Sequence, residues 1–406
     1  MDKKKYAELF VKAGGRVEPG DTVVLAADVH NAPLARMIVE SAYEAGAIDV
    51  LVRWSDSVCT KMWFDKADDS VIGAFPDWQI KLFEHYDAKK TVYLTLLSED
   101  PDMLGDADPD RIRKWMNSRS KALKQHSTNL ISNKFRWSII AAPSPEWAVK
   151  VFPGESPEEA VEKLWNAIAE AARVNANDPV AEWERHNRNF KKRSKVLNEK
   201  KFKSLKYKNS LGTDFIVELP KGHIWLGGSE KDVNGITFNP NIPTEEIFTL
   251  PHRFGANGRV VSSMPLAYNG KLIENFELTF KDGEAVSFKA EKNQDILESI
   301  LDNDPGSRRL GEIALVPADS PITRMGILFY ETLFDENASC HLALGKAYPS
   351  CLDGTQGLSE EELEKLGVNN SLLHVDFMIG TDDLSIIGVS EDGTEFTVFK
   401  DGMFTF

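Results

Sequence analysis

The sequence predicts a mixed α/β protein with two domains: an open α/β domain with parallel strands at residues 1–204, then an α+β domain at residues 205–406. Three observations favour this class. The length of 406 residues exceeds what one ordinary hydrophobic core accommodates. The first half alternates between strand-like and helix-like segments. Short strand-like runs and tight turns dominate the second half.

The opening of the chain has the pattern of a βαβ unit. The run DTVVLAADV, which begins at Asp21, is predicted to be a buried strand. The helix after it has Asn31 as its expected N-cap, Pro33 in its first turn and Gly46 at its end. AIDVLVRW is the next strand, and the two strands of such a unit are parallel. Further strands are predicted at TVYLTLL and WSIIAAP, and no GxGxxG sequence after the first strand marks a dinucleotide site.

A helix rich in lysine and arginine leads into the second half of the chain. Its basic stretch at residues 185–208 is interpreted as a solvated helix face rather than an anion-binding site. Beyond it, DFIVEL, GRVVSSMPL and LIENFELTF have the pattern of short strands. Asp282-Gly283 is a strong signal for a two-residue hairpin turn. The second half is therefore predicted to be an α+β domain.

Composition and charge exclude several classes of function. The net charge of −15 argues against nucleic acid as a partner, because phosphate binding needs a positive surface. No apolar run approaches the roughly 20 residues that span a bilayer, and no apolar segment follows the charged N-terminus as it would in a signal peptide. The three cysteines indicate a reducing compartment and no disulfide framework. We therefore expect a cytoplasmic protein that has no membrane partner.

The strand LLHVDFMIG carries an unusual polar face. Its apolar residues alternate with His374 and Asp376, which point to the same side because strand residues two apart share a face. An imidazole and a carboxylate at this spacing are suitable metal ligands. A hydrogen-bonded His–Asp pair at the surface is the alternative, and this segment taken alone favours it.

Three other segments of the second half place ligand-type residues at the edges of apolar runs. Each has a simple structural explanation, such as an exposed strand end or a helix first turn in which carboxylates meet the positive end of the dipole. Together they suggest a cluster, and buried carboxylates are costly unless they are paired or bind a metal. One divalent ion would hardly neutralise several carboxylates, whereas two would. The residues concerned are Glu245 and Glu246, Glu312, and Glu336 with His341 and Tyr348.

The segments NIPTEEIFTLPHR, GEIALVP, FDENASCHLALGKAYP and HVDFMIGT closely resemble the signatures of the aminopeptidase T family. This family comprises bacterial metal-dependent aminopeptidases and includes aminopeptidase S and the PepS enzymes. The opening segment GDTVVLAADVHNAPLARMIVESAYEAGAIDVLVRW also matches the family in pattern. The resemblance covers essentially the whole chain, and its C-terminal motifs are specific in order and spacing.

The resemblance implies a dinuclear metal site in the C-terminal domain. It implies that Glu312 bridges both ions and that Tyr348 lines the site. The motif does not distinguish adjacent carboxylates, so Glu245 stays an alternative to Glu246, which the spacing to Glu312 favours. The implied metal ligands are Glu246, Glu312, Glu336, His341, His374 and Asp376.

The implied activity is the release of N-terminal residues from short peptides by a water that two divalent ions activate. Two imidazoles among carboxylates suit Zn, Co or Mn better than Mg. Glu312 is the first candidate for the general base, with Glu245 as the alternative because a bridging carboxylate is a poor base. Tyr348 is expected to stabilise the oxyanion. His252 and Arg253 are expected to contact either the substrate or a carboxylate partner. The resemblance also implies a homodimer.

Two other functions fit the same residues. A dipeptidase or small-amide hydrolase would use the same metals on a different substrate. A non-enzymatic binding module would use the carboxylates to hold a structural ion. Removal of one residue from a tetrapeptide excludes the first alternative, and metal-dependent turnover by a protein that stays folded without metal excludes the second.

Overall fold

The computed structural model describes residues 1–98, 100–105, 107–268 and 270–406. Its helices, in chain order, are α1 (Lys3–Leu9), α2 (Ala32–Glu44), α3 (Ser57–Lys66), α4 (Asp69–Ile72), α5 (Asp77–Asp87), α6 (Pro109–Ala122), α7 (Lys124–Ile131), α8 (Pro145–Val151), α9 (Pro157–Ala171), α10 (Pro179–Lys200), α11 (Gln294–Leu301), α12 (Pro321–Met325), α13 (Thr332–Asp335) and α14 (Glu360–Lys365). Its strands, in chain order, are β1 (Thr22–Asp28), β2 (Asp49–Ser55), β3 (Thr91–Leu97), β4 (Arg136–Ala141), β5 (Ser204–Lys208), β6 (Asp214–Glu218), β7 (Glu230–Lys231), β8 (Thr237–Phe238), β9 (Ile247–Thr249), β10 (Ala256–Val261), β11 (Leu266–Tyr268), β12 (Lys271–Ile273), β13 (Glu277–Lys281), β14 (Glu284–Lys289), β15 (Leu310–Leu315), β16 (His341–Gly345), β17 (His374–Met378), β18 (Ser385–Val389), β19 (Glu395–Lys400) and β20 (Met403–Phe404). The mixed α/β class predicted from the sequence is confirmed.

The chain divides into two compact units. The first consists of Met1–Asn187 and Ser229–Pro243, and the second of Arg188–Gly228 and Thr244–Phe406. The boundary expected from the sequence between residues 204 and 205 stays a prediction. Among the described residues, no helix combines the length and the apolar character that crossing a membrane requires.

The first unit contains the parallel sheet that the sequence predicts. Its strand order is β2-β1-β3-β4, and β1 pairs in parallel with both β2 and β3. Almost all residues of β1 are buried, as expected for a strand that is covered on both faces. Asn31 precedes α2 and Pro33 lies in its first turn, as predicted. The Asn31 side chain does not cap the helix, because its amide donates a hydrogen bond to the Ser98 hydroxyl instead.

The second unit contains two main antiparallel sheets. The larger has the strand order β14-β13-β10-β6-β5-β18-β19-β20, and the smaller has the order β17-β16-β15-β9. The hairpin turn predicted at Asp282-Gly283 connects β13 to β14. Both turn residues have positive φ, 51° and 81°, as a type I′ turn requires.

The smaller sheet has one apolar face, which belongs to the hydrophobic core of the second unit. Alternate residues of its three longest strands form this face: Ile313, Leu315, Leu342, Leu344, Val375 and Phe377. Because successive residues of a strand point to opposite sides, the residues between them project from the other face. Glu312, His341, His374 and Asp376 lie on that other face.

Candidate metal centre

The strand register brings carboxylates and an imidazole from different strands onto the polar face of the smaller sheet. Ala343 of β16 lies between Glu312 of β15 and Asp376 of β17. His374, two residues before Asp376, lies opposite Gly345. Alanine and glycine fill little space, so the longer ligand-type side chains on either side can approach one another above β16. The face predicted for His374 and Asp376 is the one that the structure shows.

His341 brings a second imidazole to the same face. Its Nε2 lies 3.1 Å from Oε2 of Glu246 and 3.8 Å from Oε1 of Glu312. Glu246 is the residue immediately before β9, the outer neighbour of β15. One ligand atom from each of these three residues lies within 4.8 Å of the other two, which is the spacing of groups that can hold one metal ion.

The second imidazole–carboxylate group shares Glu312 with the first. Nε2 of His374 lies 3.5 Å from Oε2 of Glu312 and 3.3 Å from Oδ1 of Asp376. The two oxygens of the Glu312 carboxylate therefore face different imidazoles, Oε1 towards His341 and Oε2 towards His374.

Backbone carbonyls orient both imidazoles. The Nδ1–H of His341 donates to the carbonyl of Ser339 at 3.1 Å, and the Nδ1–H of His374 donates to the carbonyl of Lys346 at 2.7 Å. With Nδ1 engaged in this way, Nε2 is the nitrogen of each ring that faces the carboxylates. Metal-binding histidines are commonly held in this way.

Burial and mutual repulsion perturb the carboxyl groups strongly. Burial, with further contributions from the charges of Glu246 and Asp376, raises the pKa of Glu312 to about 7. The same causes raise the pKa of Glu336 well above its ordinary value. Glu336 lies in the turn that follows α13. Several carboxylates that share one buried region need protons or cations, because an isolated buried charge is costly.

The pKa values of the two histidines are also raised, but by neighbouring negative charges and against the effect of burial. Burial lowers the pKa of His341, but the neighbouring carboxylates of Glu246 and Glu312 more than offset this effect and raise it well above the ordinary value. Burial likewise lowers the pKa of His374, and Asp376 and Glu312 raise it to about 9. Without a cation, the cluster therefore retains protons that a divalent ion would displace.

The donor set fits a divalent metal. Oε2 of Glu246 is buried, and among the described residues it makes no hydrogen bond of regular geometry. It lies 3.1 Å from Nε2 of His341, so a divalent ion that displaced the proton of His341 could bind both atoms. Carboxylate oxygens and imidazole nitrogens together suit Zn, Co and Mn.

The adjacent Glu245 has a different environment from Glu246. Its backbone N–H donates to Oδ1 of Asn337 at 2.7 Å, and its carboxylate interacts with the partly buried guanidinium of Arg193. Of the two neighbouring glutamates, Glu246 is the one whose carboxylate faces His341. The structure therefore gives a physical reason to prefer Glu246 over Glu245 as a metal ligand, which the motif alone does not give.

Tyr348 lies at the open edge of the cluster. Its ring centroid is 4.9 Å from that of His374, and 41% of the residue is exposed. Burial of the hydroxyl, together with the nearby charges of Glu312 and Asp376, raises its pKa above the ordinary value, so the hydroxyl keeps its proton and can donate. Arg253, which was considered for a substrate contact, forms an ion pair with Glu364 at 2.8 Å.

Two features of the site were not expected from the sequence. The carbonyl groups of Ser339 and Lys346 belong to the backbone, so the residue types in the sequence do not indicate that they orient the imidazoles. The structure shows it. The small residues Ala343 and Gly345, in contrast, can be recognised from the sequence pattern. In the segment CHLALG they alternate with leucines, which is the pattern of a strand that is apolar on one face and kept clear on the other.

Carboxylates and imidazoles grouped in this way on a sheet of a mixed α/β chain are typical of metallohydrolase sites. The chain belongs to the thermophilic metalloprotease (M29) family, whose model matches residues 2–404. This membership confirms the predicted class of enzyme, a metal-dependent hydrolase that acts on peptide bonds.

Individual relatives match nearly the whole chain. Aminopeptidase 2 of Geobacillus stearothermophilus is 44% identical over 99% of this chain and 97% of its own length. Aminopeptidase AmpS of Bacillus subtilis is 42% identical over 99% of this chain and 98% of its own length. The solved structure of wild-type AmpT from Thermus thermophilus superimposes with a TM-score of 0.93 at 37% identity, covering 100% of this chain and 99% of that one. The resemblance to the aminopeptidase T family noted in the sequence is confirmed.

Proposed function

We propose that the chain is a dinuclear metal-dependent aminopeptidase that releases N-terminal residues from short peptides. The observation that carries this proposal is the position of Glu312, whose two carboxylate oxygens face two different imidazoles. A carboxylate in this position is suited to join two ions. The names of the relatives support the aminopeptidase activity.

The residues divide into two groups around Glu312. Glu246 and His341 would hold one ion with Glu312, and His374 and Asp376 would hold the other. Glu336 would be the remaining ligand, as the family resemblance implies, and the charges of Glu246 and Asp376 act on its carboxyl. Bound divalent ions would supply Lewis acidity and a water of lowered pKa for attack on the peptide carbonyl.

The chain's own groups would handle the proton and the developing negative charge. Of the two proton acceptors considered, Glu312 faces the imidazoles, whereas Glu245 interacts with Arg193. Glu312 therefore remains the first candidate for the proton transfer, and Glu245 remains the alternative because a carboxylate that joins two ions is a poor base. The hydroxyl of Tyr348, which keeps its proton and belongs to a ring in contact with that of His374, would donate a hydrogen bond to the oxyanion.

Metal content and activity test this proposal together. We expect purified protein to contain two divalent ions per chain, to lose all hydrolysis of leucine p-nitroanilide in EDTA, and to recover it with Zn²⁺, Co²⁺ or Mn²⁺ while staying folded throughout. N-acetyl-leucine p-nitroanilide is the control, because a blocked amine should prevent cleavage. One ion per chain in a fully active enzyme would exclude the dinuclear site.

Peptide products separate this function from a dipeptidase or small-amide hydrolase with the same metals. A tetrapeptide incubated with the metal-loaded enzyme should yield the free N-terminal amino acid and a tripeptide, both detectable by mass spectrometry. Cleavage of dipeptides alone would favour the alternative. Homodimerisation and a cytoplasmic location also belong to the proposal, and the family resemblance supports the dimer.

A further inference from the structure

Asn337 is fully buried and lies between segments of the second unit that carry proposed metal ligands. It follows Glu336 directly in the chain, and its side chain contacts the backbone of Glu245, the residue before Glu246. A buried amide is costly unless its hydrogen-bonding groups have partners. The partners of Asn337 therefore indicate which parts of the fold it connects.

The Asn337 amide forms hydrogen bonds at both of its ends. Its Oδ1 accepts from the backbone N–H of Glu245 at 2.7 Å, and its Nδ2 donates to the backbone carbonyl of Leu333 in α13 at 3.0 Å. The first partner is a donor and the second an acceptor, so an amide satisfies both of them and an aliphatic side chain satisfies neither. Asn337 therefore links the segment before β9 to α13.

The turn that contains Asn337 is also attached to α12. The Ser320 hydroxyl donates to the Asn337 carbonyl at 3.3 Å, and the Thr323 hydroxyl donates to the Ala338 carbonyl at 2.6 Å. Ser320 is the N-cap of α12, and Thr323 lies in its first turn. The turn that carries Glu336 is thus held by α12, and the Asn337 side chain holds the backbone before Glu246 against this turn.

Strand pairing positions most of the implied ligands, but not Glu246 and Glu336. Those within strands of the smaller sheet are Glu312, His341, His374 and Asp376. Glu246 precedes β9 and Glu336 lies in the turn after α13, so no ladder between paired strands fixes the distance between them. A metal site needs its ligands within about 0.5 Å of the binding geometry. The bond from Glu245 to Asn337 is a direct connection that can hold this distance.

We infer that Asn337 is a positioning residue that sets the separation of Glu246 from Glu336, and with it the affinity for the ion nearest His341. This inference rests on the proposed dinuclear function. The ion nearest His374 depends on the pairing of β17 with β16, so its affinity should not depend on Asn337.

Cobalt binding to Asn337→Ala tests the inference, because the visible absorption of bound Co²⁺ depends on the number and geometry of its ligands. Metal-free protein is titrated with Co²⁺ in competition with a chelator. The bands that change in Glu246→Gln and in Asp376→Asn identify the two ions. In Asn337→Ala, the ion that depends on Glu246 should bind about tenfold or more weakly, with altered absorption, as is typical when a residue that orients a ligand is lost. The affinity of the other ion should stay within about twofold of the wild type, because independent sites do not couple.

The matched control is Asn198→Ala in the same unit. The Asn198 amide also accepts from a backbone N–H and donates to a backbone carbonyl, both of Trp225, at 2.8 Å and 3.0 Å. Its removal deletes the same pair of hydrogen bonds beside residues that are not proposed ligands. We expect a lower free energy of unfolding in this variant, with the cobalt affinity and absorption of the wild type. The control thus separates a general loss of stability from a displaced ligand.

Asn337→Ser is a second variant for the case that Asn337→Ala does not fold. Serine leaves room for a water that can pair with the N–H of Glu245 and the carbonyl of Leu333, but a water does not fix their separation. It should show the same selective loss of cobalt affinity.

Several results would overturn the inference. These are unchanged cobalt binding in the Asn337 variants, an equal loss for both ions, the same loss in Asn198→Ala, or a failure of both Asn337 variants to fold when Asn198→Ala folds. If the wild type itself bound fewer than two cobalt ions per chain, the proposed dinuclear function would fail, and the inference with it.

Discussion

Nε2 of His374 lies 3.3 Å from Oδ1 of Asp376, two residues further along the same strand. The strand backbone fixes this separation, because both side chains project from one face of β17. The hydrogen bond from Nδ1 of His374 to the Lys346 carbonyl fixes the ring orientation as well. The pair is therefore preorganised before any ion binds.

Replacing Asp376 with asparagine tests whether this pair binds metal. Asp376→Asn keeps the shape of the side chain but removes its charge, so binding of at least one ion should weaken by about tenfold or more, with little change in circular dichroism. Activity measured against free Zn²⁺ or Co²⁺ should shift to higher metal concentration. Asp382→Asn, at an exposed position of the same unit, is the control and should behave as the wild type. If the activity of Asp376→Asn depended on metal concentration as that of the wild type does, His374 and Asp376 would be a hydrogen-bonded pair with no role in metal binding.

Tyr348→Phe should lower kcat far more than it raises KM. The hydroxyl is assigned to a charge that develops only in the transition state, and loss of one such donor typically costs about 10²–10³ in kcat. Steady-state kinetics on leucine p-nitroanilide at saturating metal would measure the effect. The ring, which contacts His374, is kept in this variant, so metal content should not change. A kcat within a few-fold of the wild type would remove Tyr348 from the mechanism.

Metal affinity should increase with pH. Without metal, the pKa of His374 is raised to about 9 and that of Glu312 to about 7, so both groups hold protons in neutral solution or just below it. An ion must displace the His374 proton at pH 7 to 9, and the Glu312 proton as well below pH 7. Apparent affinity should therefore rise about tenfold per pH unit for each proton displaced. Competition with a chelator at pH 6, 7, 8 and 9 would measure this slope, and a flat profile would contradict the protonation states.

Ala343→Val tests the role of the small residue between two ligands. The added methyl groups would enter the space between Glu312 and Asp376, so metal content should fall, along with a stability loss of about 1–3 kcal/mol from overpacking. Leu342→Val is the control, because it changes the apolar face of the same strand at a cost of about 1 kcal/mol. Full metal occupancy in Ala343→Val would show that metal binding does not require a small residue between Glu312 and Asp376.

Local sequence patterns predicted several structural features of the second unit, including the polar strand face on which the site lies. Alternation in HVDFM predicted the polar face, and the Asp-Gly pair predicted the hairpin, because strand pleating and positive φ are local properties. The choice between Glu245 and Glu246 could not follow from local pattern. Which of two adjacent side chains faces His341 depends on how β9 pairs with β15, and Arg193, whose charge interacts with that of Glu245, comes from a distant helix.

The order of strands in the smaller sheet has a consequence for synthesis of the chain. Its four strands leave the ribosome in the order β9, β15, β16, β17, and the last of them supplies His374 and Asp376. A nascent chain that has not yet paired β17 with β16 therefore lacks two of the side chains that surround Glu312. An ion held by the finished cluster would join segments that are far apart in sequence, and so restrict the unfolded chain much as a crosslink does. The centre would thus tighten only once β17 has paired with β16, and products truncated before β17 would be left loosely folded and exposed to proteolysis.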